Sequence, residues 1–187
     1  MQFLRVFSIV SAFFFFFVAA SPVADSKAAL VARQEADIIS ILTVTRAQAI
    51  LDATAIQLLA ANPLTTEEEA TAAFGKLTDT INSATTQIAA IQPVGTTKRQ
   101  SSDDVAVLVA GLITDVTTLL DGVLEGLAGI PTIGGLFIGL DAALSQLLKG
   151  LEGLLAGVLN LVAQLLVNVA ALLRKLALGL TLGSLGL

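Results

Sequence analysis

Residues 141–175 read DAALSQLLKGLEGLLAGVLNLVAQLLVNVAALLRK, and the reading of this stretch decides the fold. Wound as one α-helix, at about 100° per residue, it sorts into two faces. One face carries Leu144, Leu147, Leu148, Leu151, Leu154, Leu155, Val158, Leu159, Leu161, Val162, Leu165, Leu166, Val169, Leu172 and Leu173. The other carries Ser145, Gln146, Lys149, Glu152, Gly153, Ala156, Gly157, Asn160, Ala163, Gln164, Asn168, Ala171, Arg174 and Lys175, with Val167 as its only large apolar residue. Such sorting marks an amphipathic helix. The apolar face is broad, and the opposite face is small rather than highly charged. The helix is either continuous, on the order of 50 Å long, or kinked or split near Gly150, Gly153 and Gly157. Each interior Gly costs up to about 1 kcal/mol relative to Ala.

The segments on either side continue the pattern. Upstream, the spacing predicts a helix over 105–128, opened by Asp103 or Asp104 and closed by Gly129-Ile130-Pro131. Its apolar face is Val105, Leu108, Val109, Leu112, Val116, Leu119, Leu120, Val123 and Leu127; Thr114, Thr117, Thr118, Asp121 and Glu125 form the other. Gly134-Gly135 reads as a further turn or hinge. Downstream, residues 179–187 are apolar, Gly-punctuated and weak in helix propensity. This tail either packs on the bundle or frays.

The amino half is more polar. A helix is expected over 35–61, with Ile41, Val44, Gln48, Leu51, Ala55 and Leu58 in alternating three- and four-residue spacing as its seam, and Ile38 and Leu42 on the flank. Asn62-Pro63 stops it, since the residue before Pro avoids the α region. Thr66 and Glu69 form a capping box, and Glu67, Glu68 and Glu69 suit the positive end of the helix dipole. They open a second helix over 67–91, with the seam Phe74, Leu77, Ile81, Ala84, Ile88 and Ile91. The two helices make an antiparallel hairpin. Residues 94–104 form a polar linker, in which Lys98-Arg99 reads equally as a dibasic processing site or as a solvated loop. Residues 1–20 read as a signal peptide, with Arg5 ahead of an apolar core and cleavage after Ala20. The chain thus divides into 1–20, a polar helical region at 21–93, the linker, and a hydrophobic region at 105–187.

Composition narrows the function. The 187 residues include no Cys, His, Trp or Tyr. No disulfide, thiol nucleophile, zinc–thiolate site or histidine base can be built from them. Apolar residues make up 55% and charged residues 13%, which excludes a disordered composition. The net charge of −5, with no basic patch, argues against nucleic acid and against electrostatic docking on anionic lipid. No phosphate loop, dinucleotide fingerprint or metal cluster is present, so no cofactor and no catalytic residue is assigned.

Two motifs concern packing. Gly153-xxx-Gly157, like Gly122-xxx-Gly126 and Gly135-xxx-Gly139, matches the small-xxx-small pattern of close helix approach, within the molecule or between copies. Leu154 to Leu173 is uncharged and as long as the roughly 20 residues of a bilayer span. Asn160, Gln164 and Asn168 share one stripe of it and would be left unpaired in lipid, which favours a bundle or an interface. Leu147, Leu151, Leu154, Val158, Leu161, Leu165 and Leu172, with Gly153 and Gly157, are the candidate packing or interface residues.

This layout resembles a family of small, cysteine-free secreted proteins of basidiomycete fungi, found in the cell wall and medium beside hydrophobins. The resemblance lies in Gly111-Leu112-Ile113-Thr114, in Gly153-Leu154-Leu155-Ala156-Gly157-Val158-Leu159-Asn160-Leu161-Val162-Ala163, and in Gly179-Leu180-Thr181-Leu182-Gly183. It implies a non-enzymatic role in aerial growth and attachment. The amino half alone is similar to fungal secreted helical proteins that bind hydrophobic surfaces. The expectation is an all-α antiparallel bundle acting as an amphiphile, with a hydrophobic interface, the cell wall, lipid or a further copy as partner. The alternative is a membrane-inserting or membrane-anchored helical protein, or a secreted protein that binds hydrophobic surfaces or lipid.

Overall fold

The computed structural model describes residues 26–91, 99–100 and 103–187. The signal-peptide reading with its cleavage at Ala20, and Lys98 of the dibasic pair, lie outside the described residues. The helices are α1 (Ser26–Ala60), α2 (Glu67–Ala89), α3 (Asp103–Leu119), α4 (Val123–Gly126), α5 (Ile133–Leu154), α6 (Val158–Leu166), α7 (Ala170–Lys175) and α8 (Gly179–Leu185). A two-residue ladder pairs β1 (Arg99–Gln100) with β2 (Leu155–Ala156) in parallel.

Chain direction alternates, which makes the fold an all-α antiparallel bundle. Asp52 of α1 accepts from Thr80 of α2, and the turn at 61–66 folds the pair into a hairpin. Arg46 bonds Asp115, and Ala60 meets Gly126, so α3 and α4 run the same way as α1. Phe74 of α2 meets Phe137 of α5 edge-on, with ring centroids 5.1 Å apart. β1 pairs with β2 at one end, and Lys175 reaches Asp121 at the other. α6 and α7 therefore climb beside α3, and α8 descends beside α5. One hydrophobic core joins both halves of the chain: Leu42, Phe74 and Leu77 from the amino half meet Leu112, Phe137 and Leu144 from the carboxyl half.

α2 forms as its sequence predicts. Thr66 Oγ1 accepts from the Glu69 N–H at 3.2 Å, and the Glu69 carboxylate accepts from the Thr66 N–H at 2.9 Å. The seam Phe74, Leu77, Ile81, Ala84 and Ile88 is buried, with Ile91 half-buried beyond the helix end.

α1 corrects its expected seam. The buried stripe is Ile38, Leu42, Thr45, Ala49, Ala53 and Ile56, while Val44, Leu51 and Leu58 face outward. α1 is apolar around most of its circumference, so two stripes compete for the core. The one chosen has the small Ala49 and Ala53 where α2 and α3 press on it.

The 141–175 stretch holds the end of α5, then α6 and α7, with a reversal between α5 and α6. α5 ends at Leu154, Leu155–Ala156 is extended, and Gly157 takes a φ of 84°, a left-handed conformation open to Gly. Of the three glycines expected to break the stretch, only this one does; Gly150 and Gly153 stay helical. A 3-10 turn at Val167–Val169 separates α6 from α7. The uncharged run Leu154–Leu173 is therefore not a single straight helix. The helix expected over 105–128 is likewise broken, at Gly122 with a φ of 83°. Gly134 and Gly135 lie in the first turn of α5 rather than in a hinge.

Two carboxylates hold the new helix starts. Glu152 accepts from the N–H groups of Gly157 and Leu159 at 3.1 and 3.2 Å, satisfying otherwise orphaned donors of α6. Asp141, 4% exposed, does the same for α8 and packs the weakly helical tail onto the bundle. Ser145 and Ser184 add a hydroxyl contact at 2.8 Å.

Candidate interaction surface

The side chains singled out for packing scatter through this fold. Leu147, Leu151 and Val158 are buried in the core; Leu154, Leu161 and Leu172 are half-buried at its edge. Leu165 is 49% exposed. Asn160, Gln164 and Asn168 are all exposed, so the amide stripe meets water. Gly153 and Gly157 do not mark a close helix approach: a Cβ at either would meet nothing within 4 Å, and the same holds at Gly122, Gly135 and Gly139. The close approach is at Gly126, where a Cβ would lie 2.5 Å from the Ala60 carbonyl oxygen. Arg99 of the dibasic pair has its backbone paired with Leu155.

The structure instead presents α1. Val44, Leu51 and Leu58 are 64%, 64% and 68% exposed, and Leu64 in the following turn is 83% exposed. The exposed α1 residues between positions 40 and 58 are Ser40, Thr43, Val44, Ala47, Gln48, Leu51, Ala55, Gln57 and Leu58; none carries a charge. A strip of about 18 residues at 1.5 Å per residue is roughly 27 Å long. Ordinary soluble surfaces intersperse charges over such a length.

Local hydrogen bonds lower the polarity of the strip further. Thr43 donates its hydroxyl to the Ile39 carbonyl at 2.7 Å, and Thr54 to that of Ile50 at 2.6 Å, so both donors are turned into the helix. The Gln48 amide donates to Asp52 at 3.0 Å, and Thr80 donates to the other Asp52 oxygen at 2.8 Å.

Beside the strip, α1 and α2 enclose an open groove of about 440 Å³. Ala55, Leu58, Leu59, Ala72 and Ala73 give it apolar walls, and Asp52, Glu69 and Lys76 line it as well. Small residues on both helices create the space; larger ones would close it. The expected seam of α1, Ile41 apart, is thus turned to solvent rather than to the core.

The chemistry on offer is apolar contact. Among the described residues no three Asp, Glu, His or Cys side chains converge on a metal position. Three stretches, Ala32–Ala60, Asp103–Gly126 and Val158–Lys175, are long and apolar enough to cross a membrane by length and composition. No protein-family model matches the chain, and no curated protein is significantly similar to it.

Proposed function

We propose that this chain is a secreted, non-enzymatic amphiphile of the fungal cell surface, acting where water meets an apolar phase such as air or a hydrophobic wall layer. The observation that carries this reading is the charge-free outer face of α1, with Val44, Leu51 and Leu58 each about two-thirds exposed. Covering one such side chain is worth about 1.5–3 kcal/mol, so an apolar surface competes well with water for this face. The face is available in the folded state, and adsorption does not require the core to open. The leader-like residues 1–20, the absence of Cys and the resemblance to cysteine-free fungal wall proteins support the cell-surface setting.

The test is the surface tension of the protein lacking residues 1–20. At micromolar concentration it lowers surface tension well below an ordinary globular control. The triple variant Val44→Ser, Leu51→Ser, Leu58→Ser loses most of that effect while keeping its helical circular dichroism. A wild type no more surface-active than the control would count against the reading.

A second reading, insertion into a lipid bilayer, draws on the three stretches of membrane-spanning length. Alkaline carbonate treatment separates the two: a surface amphiphile is released into the supernatant, and a spanning protein stays with the membrane.

A further inference from the structure

We infer that in bulk water the outer face of α1, with the groove it shares with α2, docks a second copy of this chain as a two-fold dimer. The inference rests on the reading of this face as the working surface, and names what covers it when no interface is present.

The spacing is the first argument. Ile41, Val44, Gln48, Leu51, Ala55 and Leu58 alternate by three and four residues, the pattern of a seam between two helices. Of that seam only Ile41 packs on the core; Val44, Gln48, Leu51, Ala55 and Leu58 are exposed, and the intramolecular neighbours of α1 press on Ile38, Leu42, Ala49, Ala53 and Ile56. A single polar seam position, Gln48, is satisfied within the chain by Asp52.

Shape is the second. The face carries both projections and a recess: Leu51 and Leu58 stand out, and the groove beside them is lined by Ala55, Ala72 and Ala73. A two-fold contact requires one patch to complement itself. Leucines of each copy can fill the alanine-lined recess of the other.

Charge is the third. Lys76 and Glu69, on α2, line the same groove as Asp52, on α1. Among the described residues, no carboxylate forms an ion pair with Lys76. A two-fold axis across the groove can set each Lys76 against the carboxylates of the opposite copy, a pairing that a neutral occupant does not offer.

Size sets the strength. The strip and groove together offer 15 residues per copy, fewer than the roughly 20–30 a side of a standard interface. The dimer is reversible and dissociates on dilution, which leaves the face free for an apolar surface.

Sedimentation equilibrium of the protein lacking residues 1–20, from about 1 to about 100 µM, tests this. The average mass rises from one copy to two over that range. Leu51→Glu with Leu58→Glu, at positions already two-thirds exposed, raises the dissociation constant at least tenfold with unchanged circular dichroism; Lys76→Glu raises it as well. A single-copy mass throughout overturns the inference, as does a dimer indifferent to the leucine pair or to Lys76→Glu. An acyl lipid retained on a single-copy protein, seen by native mass spectrometry, also overturns it. A single-copy protein that still lowers surface tension leaves the proposed function standing, whereas a dimer without surface activity removes that function alone.

Discussion

Asp141 and Thr181, 40 residues apart, are joined twice by one oxygen atom: Asp141 Oδ1 accepts the Thr181 N–H at 2.8 Å and the Thr181 hydroxyl at 2.7 Å. The other carboxylate oxygen accepts the Leu180 N–H at 2.7 Å. A side chain of α5 thereby caps α8, and converts a Gly-punctuated tail into a packed helix. Asp141→Ala would leave buried amides unpaired and is expected to cost about 2–4 kcal/mol. Urea denaturation would measure the loss. Amide exchange at Leu180 and Thr181 would rise selectively, showing that α8 detaches before the bundle opens.

The reversal between α5 and α6 depends on Gly157 and not on its motif partner. Gly157→Ala would force a side chain into a left-handed conformation, at about 1–2 kcal/mol. Gly153 is helical with open space around it, so Gly153→Ala should be neutral or stabilising by up to about 1 kcal/mol. Equal destabilisation in thermal melts of the two variants would contradict this asymmetry.

Gly126 and Gly111 both sit against α1, but against different obstacles. At Gly126 the obstacle is the backbone carbonyl of Ala60, 2.5 Å from a built Cβ. Gly126→Ala must shift backbone, with an expected cost of about 1–3 kcal/mol. At Gly111 it is the Arg46 guanidinium, 2.7 Å away, which can swing aside. Its ion pair with Asp115 is about one-third exposed on both sides. Gly111→Ala is therefore expected to cost no more than about 1 kcal/mol. Chemical denaturation of the two variants side by side gives the order.

Cleavage after Arg99 should not release a free hydrophobic half. The core buries Leu42 and Phe74 against Leu112 and Phe137, across the cut. Separation would expose apolar surface on both fragments, at about 25 cal/mol per Å². The nicked protein is expected to elute as one particle in native buffer and as two fragments in denaturant. Separate elution without denaturant would show that the halves do not depend on a common core.

Two exposed groups give the bundle opposite pH limits. The Thr66 backbone N–H, and then its hydroxyl, hold the Glu69 carboxyl below the usual carboxylate range. What Glu69 lends to α2 is complete above the unfolded value of about 4.3 and is lost as pH falls through its lower folded value. The Asp121 hydrogen bond, then the charge of Asp121, raises Lys175 above the usual lysine range. Its contribution is complete below about pH 10.4 and is lost as pH rises through the folded value. The protection of the Glu69 amide relative to its intrinsic exchange rate should fall in acid, and Glu69→Gln should remove that dependence. Lys175→Met should flatten the alkaline limit.

Much of this molecule was legible in the sequence, because its signals are local. Thr66 and Glu69 lie within one helical turn, so the capping box and the start of α2 needed no tertiary information. The seam from Phe74 to Ile88 follows from spacing alone, since α2 has one apolar stripe and a polar remainder. The all-α class follows from the same periodicity. The absence of His and Cys removed whole groups of reactions before any fold was known.

Three features were decided only by tertiary structure. The first is which side of α1 is inside. Spacing reports that a stripe exists, but not what faces it; with two stripes available, the packing of α2 and α3 chose Ile38, Leu42 and Ile56 and left Val44, Leu51 and Leu58 to solvent. The second is the reversal at Gly157. Buried positions keep their three- and four-residue steps through Leu151, Leu155, Val158 and Val162, because the turn preserves their phase. The hydrophobic pattern therefore runs through the change of direction, and the sequence offers Gly150, Gly153 and Gly157 as equal candidates for a break without saying which one turns the chain. The third is the pair of caps from Asp141 and Glu152. Asp141 reaches its partners from 40 residues away, and a contact between distant residues is fixed by how the helices stack.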